Sequence, residues 1–548
     1  MARSTMSVLR SLLCTALLLA SLPAFTFSAN AQLPSTDAPT LTVTSNLVFL
    51  DVTVLDKNGH PVVSGLTKDD FSITEDKRLQ RISSFESPQL HRMGTSTGDQ
   101  NQDGNAPVTI FVLDQLNSSF EDFAFIRYEF RSFLRSQPAL LAAPAELMVI
   151  RNHSLDMLHG YTRSRANLEN ALDHFPAAIP YKWLSDQFVE ERFDQSVQSL
   201  QEIALQNSGV PGRKNIVWVG HGGPSFTTRN MTEEVSVSLK RYVHLTANML
   251  VNARMSLFVI YPGLKVGHFM IQGGGPANNA APLSALDASY NIGDDSDPFA
   301  ENINFGVLVN EAGGKLFYNR NDVDAEINRA QELGSEYYTL TYQPGSIFPN
   351  GKFRRIRVTL RNRSLHALTK AGYFAPDKDA PIDPRRQTML QLKDALQSNI
   401  AFAALDTTVS GIVRHPDAGT VQFTLLLKGK NLDWIPTEDG GSTASVIVST
   451  ASLTNDKNIL ALKQEELNVA GPTHDLTRLA QLVTPLQVTI QAPHKTQSVR
   501  VILEGEPGGR LGGAVLDGKT IDAAPALPTP DPQLAPNRTV HPSPPNTH

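Results

Sequence analysis

Histidine, serine, aspartate and glycine recur in this chain at spacings that perform chemistry on the right scaffold. His221-Gly222-Gly223 has the form of an oxyanion-hole turn, in which backbone N–H groups stabilise a developing negative charge. Such a turn needs a nucleophile on a strand-to-helix elbow. The Gly-x-Ser-x-Gly match, Gly94-Thr95-Ser96-Thr97-Gly98, lies instead in a polar loop with no helix after it. The glycines after His221 therefore read as a tight turn at a strand end. His153-Ser154-x-Asp156 holds the three side-chain types of a catalytic triad, but triads are assembled by tertiary approach, so this reads as a polar loop. His153 and His159 lack the i, i+4 spacing and the glutamate of a zinc-hydrolase helix. Asp294-Asp295-Ser296-Asp297 has oxygen ligands suited to Ca²⁺ but no glutamate at the twelfth position of a loop, and reads as a solvated acidic loop.

Composition narrows the class further. The chain has 548 residues, with 48 basic and 54 acidic side chains and a formal net charge of −6. That balance, without a long basic run, lacks the electrostatic footprint of a nucleic-acid binder. Cys14 is the single cysteine, which excludes a disulfide framework and thiolate chemistry. Arg3 and Arg10, the apolar run Ser11–Phe27 and Ala29-Asn30-Ala31 follow the order of a secretory signal peptide over residues 1–31, cleaved after Ala31. The mature chain is then expected to be cysteine-free and secreted, or held in the periplasm or cell envelope. No later segment reaches the roughly 18 apolar residues of a spanning helix, so no membrane span is expected after cleavage.

The elements that must position these residues fall into blocks. Leu47–Leu55 alternates and ends at Asn58-Gly59, opening a small β unit over 46–90. From Val108 the texture changes to short apolar strands alternating with amphipathic helices: Val108–Leu113, Leu147–Ile150, Asn215–Val219 and Ser256–Tyr261 as strands, and Phe123, Ile126, Phe130, Phe133 and Leu134 at helical spacing. This predicts an α/β domain over 107–345, a Rossmann-like doubly wound, mostly parallel sheet, with Val323–Leu333 its last helix and Tyr337–Tyr342 its last strand. A long loop over 262–304 interrupts it. A β extension over 346–376, a proline-bearing linker over 377–404, an all-β sandwich over 405–522 and a disordered proline-rich tail over 523–548 follow.

Val108–Ser119, Thr162–Leu172, Gly212–Gly223 and Gly313-Gly314 resemble the landmarks of a von Willebrand factor A domain. Gly65-Leu66-Thr67-Lys68-Asp69-Asp70-Phe71 before it, and Tyr338-x-Leu340-x-Tyr342, Asn350-Gly351-Lys352-Phe353 and Gly372-Tyr373-Phe374 after it, resemble an exported A-domain-related family of acidobacterial genomes over about 46–376. The resemblance implies a Mg²⁺ site of Asp-x-Ser-x-Ser form at the carboxyl edge of the sheet, completed by a threonine and an aspartate from later loops. Asp114 and Ser118 match this pattern; Leu116 stands at a hydroxyl position, and His221 follows the strand where an aspartate is expected. The candidate metal ligands are thus Asp114 and Ser118 in a degenerate site, and no cofactor is expected. Local chemistry offers another use for the same residues: Asp114 can accept backbone N–H groups, and Ser118 or Ser119 can cap the helix that follows. The expected function is that of an exported, non-enzymatic binding protein acting in protein–protein or surface adhesion. Its partner is a protein or cell-envelope ligand, met by loops at Asn117, His221 and Gly222. An envelope-polymer hydrolase or an envelope scaffold is the alternative.

Overall fold

The computed structural model describes residues 47–92, 106–176, 179–228, 231–262, 297–300, 302–345, 350–376 and 392–528. The signal-like segment, the Gly94–Gly98 match, most of the 262–304 loop and residues 529–548 lie outside these. Asn46–His548 forms one compact unit.

Among the described residues, eight strands build two antiparallel sheets that flank the α/β body. They are β1 (Val48–Leu55), β2 (Phe71–Glu75), β3 (Arg78–Gln80) and β4 (Ile82–Glu86) before it, and four partners after it. The body starts with β5 (Val108–Asp114), α1 (Phe120–Ser136), β6 (Leu140–Ile150), β7 (Leu155–Ser164) and α2 (Arg165–His174). It continues with α3 (Val189–Gln206), β8 (Lys214–Val219), α4 (Glu233–Asn252) and β9 (Met255–Pro262). Then come α5 (Phe305–Glu311), β10 (Leu316–Arg320) and α6 (Val323–Ser335). The sheet order is β10-β9-β8-β5-β6-β7, parallel throughout except for β7. Helices α1, α2 and α6 pack on one face and α3, α4 and α5 on the other. The central strands are apolar at nearly every position because both faces are covered. The protein is therefore mixed α/β, with one largely parallel sheet and several antiparallel ones.

Two expectations about this body change. Tyr338–Tyr342, here β11, does not close the parallel sheet; it pairs antiparallel with β1 and with β4. Tyr338, Leu340 and Tyr342 enter the core of the flanking sheets, whereas the outer parallel strand is β10. His153-Ser154-x-Asp156 is the lead into β7, whose half-buried edge position blurs the apolar pattern. The remaining flanking strands are β12 (Phe353–Leu360), β13 (His366–Leu368) and β14 (Gly372–Phe374), giving the orders β13-β1-β11-β4 and β14-β12-β2-β3. The chain segments before and after the body thus interleave in shared sheets rather than forming separate units. Arg254 donates to Asp51 at 3.1 and 2.5 Å, and Arg213 donates to the Thr53 hydroxyl at 2.8 Å, tying β1 to the body.

The C-terminal part has strands β15 (Thr407–His415), β16 (Thr420–Lys428), β17 (Ser442–Leu453), β18 (Ile459–Gly471), β19 (Val483–Gln491), β20 (Ser498–Glu506) and β21 (Arg510–Asp517). One antiparallel sheet runs β15-β16-β19; the other runs β17-β20-β21, with β18 also on β17. Their inward residues, among them Phe423, Val446 and Val501, share one core. The expected linker is partly structured. Residues 392–397 are helical, and Leu392, Ala395 and Leu396, at i, i+3, i+4 spacing, join a core with Leu453, Ile502 and Leu511. Arg500 donates to the Ser398 and Ile400 carbonyls, and the Ser398 hydroxyl donates to Glu202 of α3 at 2.7 Å. The start of the expected tail is also held: the N–H of Leu527 donates to the Arg414 carbonyl at 2.9 Å, because β15 leaves an open edge there.

Candidate functional site

The parallel strands end together at Asp114, Ile150, Val219, Pro262 and Arg320, and this carboxyl edge is where open α/β sheets bind ligands. Asp114 is fully buried at the centre of that edge. Its Oδ1 accepts the Asn117 backbone N–H at 2.9 Å and its Oδ2 accepts the Trp218 indole N–H at 2.9 Å. Oδ2 also accepts the Gly222 N–H at 2.9 Å, and the Asn117 side-chain amide lies 3.2 Å from both oxygens. A carboxylate has about four acceptor positions, so these donors saturate it. Burial pushes the carboxyl upward, and the bonds from Trp218 and Asn117 pull it back.

The surrounding sequence serves this staple. Gly220 has φ +143° and a Cβ there would lie 2.4 Å from that of Asp114; Gly222 has φ +68° and a Cβ there would meet Phe305 at 2.8 Å. Both positions need glycine for the turn that delivers the Gly222 N–H. Ser118 donates its hydroxyl to the Asp114 carbonyl at 2.6 Å, while Ser119 is the N-cap of α1, accepting from the Asp122 N–H at 3.0 Å. His221 donates from Nδ1 to the Asn117 carbonyl at 2.9 Å, and its Nε2 is buried without a partner. Burial pushes this imidazole below its ordinary value.

These residues do not fit Mg²⁺. The ion takes hard oxygen ligands at about 2.0–2.1 Å and keeps several waters. Here both Asp114 oxygens already face N–H donors, Ser118 is bonded inward, and Leu116 is buried in the core between the sheet and its helices. Among the described residues, no cluster of three or more His, Asp, Glu or Cys side chains could hold a metal ion. The structure thus brings Asp114, Asn117, Ser118, His221 and Gly222 together, but as a hydrogen-bonded core. Asn117 and Gly222, expected in partner-binding loops, are buried, and His221 is half-buried.

What the carboxyl edge does present is aromatic. Trp183, His221, Tyr261 and Tyr318 form a row with successive ring centroids 6.0, 4.3 and 5.1 Å apart. Tyr318 is 43% exposed in the middle of β10, and beside Trp183 stand Ile179, 69% exposed, and Leu184, 72% exposed. Phe120, 51% exposed, opens α1 on the same edge. The row draws on segments far apart in sequence. The local signal is a tyrosine after an apolar run in each of two neighbouring strands, Tyr261 and Tyr318, which pair across them.

No protein-family model and no curated protein matches the chain. Among solved structures it is similar to the SpRpn10 VWA domain at 16% identity and TM-score 0.17, over 29% of this chain and 76% of that one. It is also similar to a point mutant of the PilB minor pilin from Streptococcus sanguinis at 10% identity and TM-score 0.23, over 44% of this chain and 63% of that one. Likenesses at this level carry no argument about function. Among the described residues, no helix is long and apolar enough to cross a membrane.

Proposed function

We propose that this is an exported, non-enzymatic binding protein of von Willebrand factor A-like architecture with a C-terminal β-sandwich, and that it binds a protein partner at the carboxyl edge of its parallel sheet. The observation that carries the reading is the aromatic row from Trp183 to Tyr318 with its exposed neighbours Ile179 and Leu184. Clustered exposed apolar side chains on a polar body favour association, and aromatic anchors dominate binding energy at interfaces. The strand order supports the fold assignment, and the signal-like N-terminus supports export. Adhesion through this edge needs no metal, because Asp114 is committed to internal bonds.

The test is quantitative capture of envelope proteins from the native host on the immobilised mature chain. A Leu184→Asp/Tyr318→Asp double variant should retain at least about tenfold less of the specific partner, as expected for removal of interface anchors. Equal retention by wild type and double variant would remove the proposal.

A further inference from the structure

A second region has the opposite character to the Asp114 staple. A cavity of about 900 Å³ lies where the β2–β3 hairpin and β12 meet α4, lined among others by Asp76, Arg78, His244, Lys352, Arg355 and Phe374. That volume is within the range of small-molecule sites, which favour junctions between substructures. Its carboxylates are already engaged. Asp76 pairs with Arg354 at 3.3 Å, Asp297 pairs with His244 at 3.0 Å, and Glu75 accepts the Tyr342 hydroxyl at 2.5 Å.

Its cations are less so. Among the described residues, the side chains of Arg78, Lys352 and Arg355 form no ion pair with a carboxylate. Arg355 lies over the Phe353 ring at 5.5 Å, and its Nε is buried without a hydrogen-bond partner. The nearby carboxyl of Glu311 balances it only in part: Glu311 is 2% exposed, both its oxygens lack hydrogen-bond partners, and burial pushes it up to about 8 against the pull of Arg355. The wall is thus left with excess positive charge, held on β2–β3 and β12, beside an aromatic ring. The engaged carboxylates keep spare lone pairs that accept hydroxyl donors.

We propose that this cavity binds a small hydroxylated carboxylate, a sugar acid, whose carboxylate meets Arg355 and Arg78 and whose hydroxyls meet Asp76 and the His244–Asp297 pair. A zwitterion would bring an ammonium to carboxylates that already have partners; a neutral sugar would leave the cations unmatched. Arg supplies the planar fork that matches a carboxylate. The assignment does not rest on the carboxyl-edge reading, since none of these residues belongs to the aromatic row.

Calorimetric titration of the full mature chain at low salt tests it, with D-glucuronate, D-glucose and inorganic phosphate as probes. Glucuronate should bind and weaken with added salt; glucose should bind at least tenfold more weakly. Arg355→Ala and, separately, the hairpin variant Arg78→Ala should each weaken glucuronate at least tenfold. Arg357→Ala, exposed on the same strand but outside the cavity lining, should not. Circular dichroism of each variant verifies folding, and Arg78→Ala serves if Arg355→Ala does not fold. Absence of glucuronate binding to wild type, binding undiminished in Arg78→Ala, or phosphate binding as tight as glucuronate would overturn the proposal.

Discussion

Asp114 and Arg355 are both charged side chains set at the margin of the α/β body, and they have opposite hydrogen-bond states. Asp114 is enclosed by donors from Asn117, Trp218 and Gly222, whereas the Arg355 Nε is buried with no acceptor. The first residue sits where a metal ligand would be expected from the motif, and its chemistry is turned inward. The second carries no motif. Residue identity at a familiar position is therefore a poorer guide to ligand binding than whether the side chain's bonding capacity is already filled.

The largest expected effect comes from breaking the filled site. Asp114→Ala would leave the Trp218 indole N–H and the Gly222 N–H buried without acceptors, and should cost about 3–5 kcal/mol. Urea unfolding of the mature chain measures it. A loss below about 1 kcal/mol would mean that the staple is dispensable and the contrast with Arg355 is overstated.

Much of this arrangement is legible in the sequence and part of it is not. The strands around Asp114 are readable because burial on both faces makes Val108–Leu113, broken only by Thr109, and Ile216–Val219 apolar runs. A serine cap before Phe120 is readable for a similarly local reason, and it is Ser119. The Trp218–Asp114 bond is not, since it joins residues 104 apart and depends on the pairing of β5 with β8. The sheet that Tyr338–Tyr342 joins is hidden as well, because a five-residue buried strand carries no mark of its partner. Residues 392–402 look like linker because neighbouring prolines outweigh one short helical turn of apolar side chains. The Arg355 cavity is assembled from separated segments; Gly351, Lys352, Phe353 and Phe374 of its lining stand in the stretches Asn350–Phe353 and Gly372–Phe374, but nothing local in them marks a shared cavity.

The next effect in size concerns Glu311, the buried acid whose carboxyl the charge of Arg355 offsets only in part. Its folded value, about 8, stands above the ordinary 4.5, so the folded state binds the proton more tightly than the unfolded chain. Its contribution is fully present below about pH 4.5 and is lost as pH rises through about 8. The stability difference between wild type and Glu311→Gln should therefore shift in favour of the variant by roughly 2–4 kcal/mol between pH 5 and pH 9, within what such a shift allows. Denaturant titrations at the two pH values decide it; a pH-independent difference would show that Glu311 has a partner.

His221 should give a smaller change of opposite sign. Its folded value is depressed, so its contribution is present above the ordinary 6.5 and is lost as pH falls through the folded value. Protonation would place an N–H on the buried, unpartnered Nε2. Acidification below pH 6 should destabilise wild type more than His221→Phe, as for a histidine buried neutral. Identical acid profiles would place the titration elsewhere. The smallest stability effect is expected at the exposed hairpin: Arg78→Ala should change unfolding by less than about 0.5 kcal/mol, which separates a ligand contact from a structural one.

The most direct test of the central claim, that Asp114 is a structural staple and not a metal ligand, is thermal unfolding of the mature chain in EDTA and then in millimolar Mg²⁺, alongside Asp114→Asn. A ligand at 100 times its Kd stabilises a fold by about 2.7 kcal/mol, so a working site would move the midpoint measurably. Wild type should unfold at the same midpoint with and without Mg²⁺, and Asp114→Asn should unfold lower in both. A Mg²⁺-dependent rise in wild type that disappears in Asp114→Asn would contradict the account.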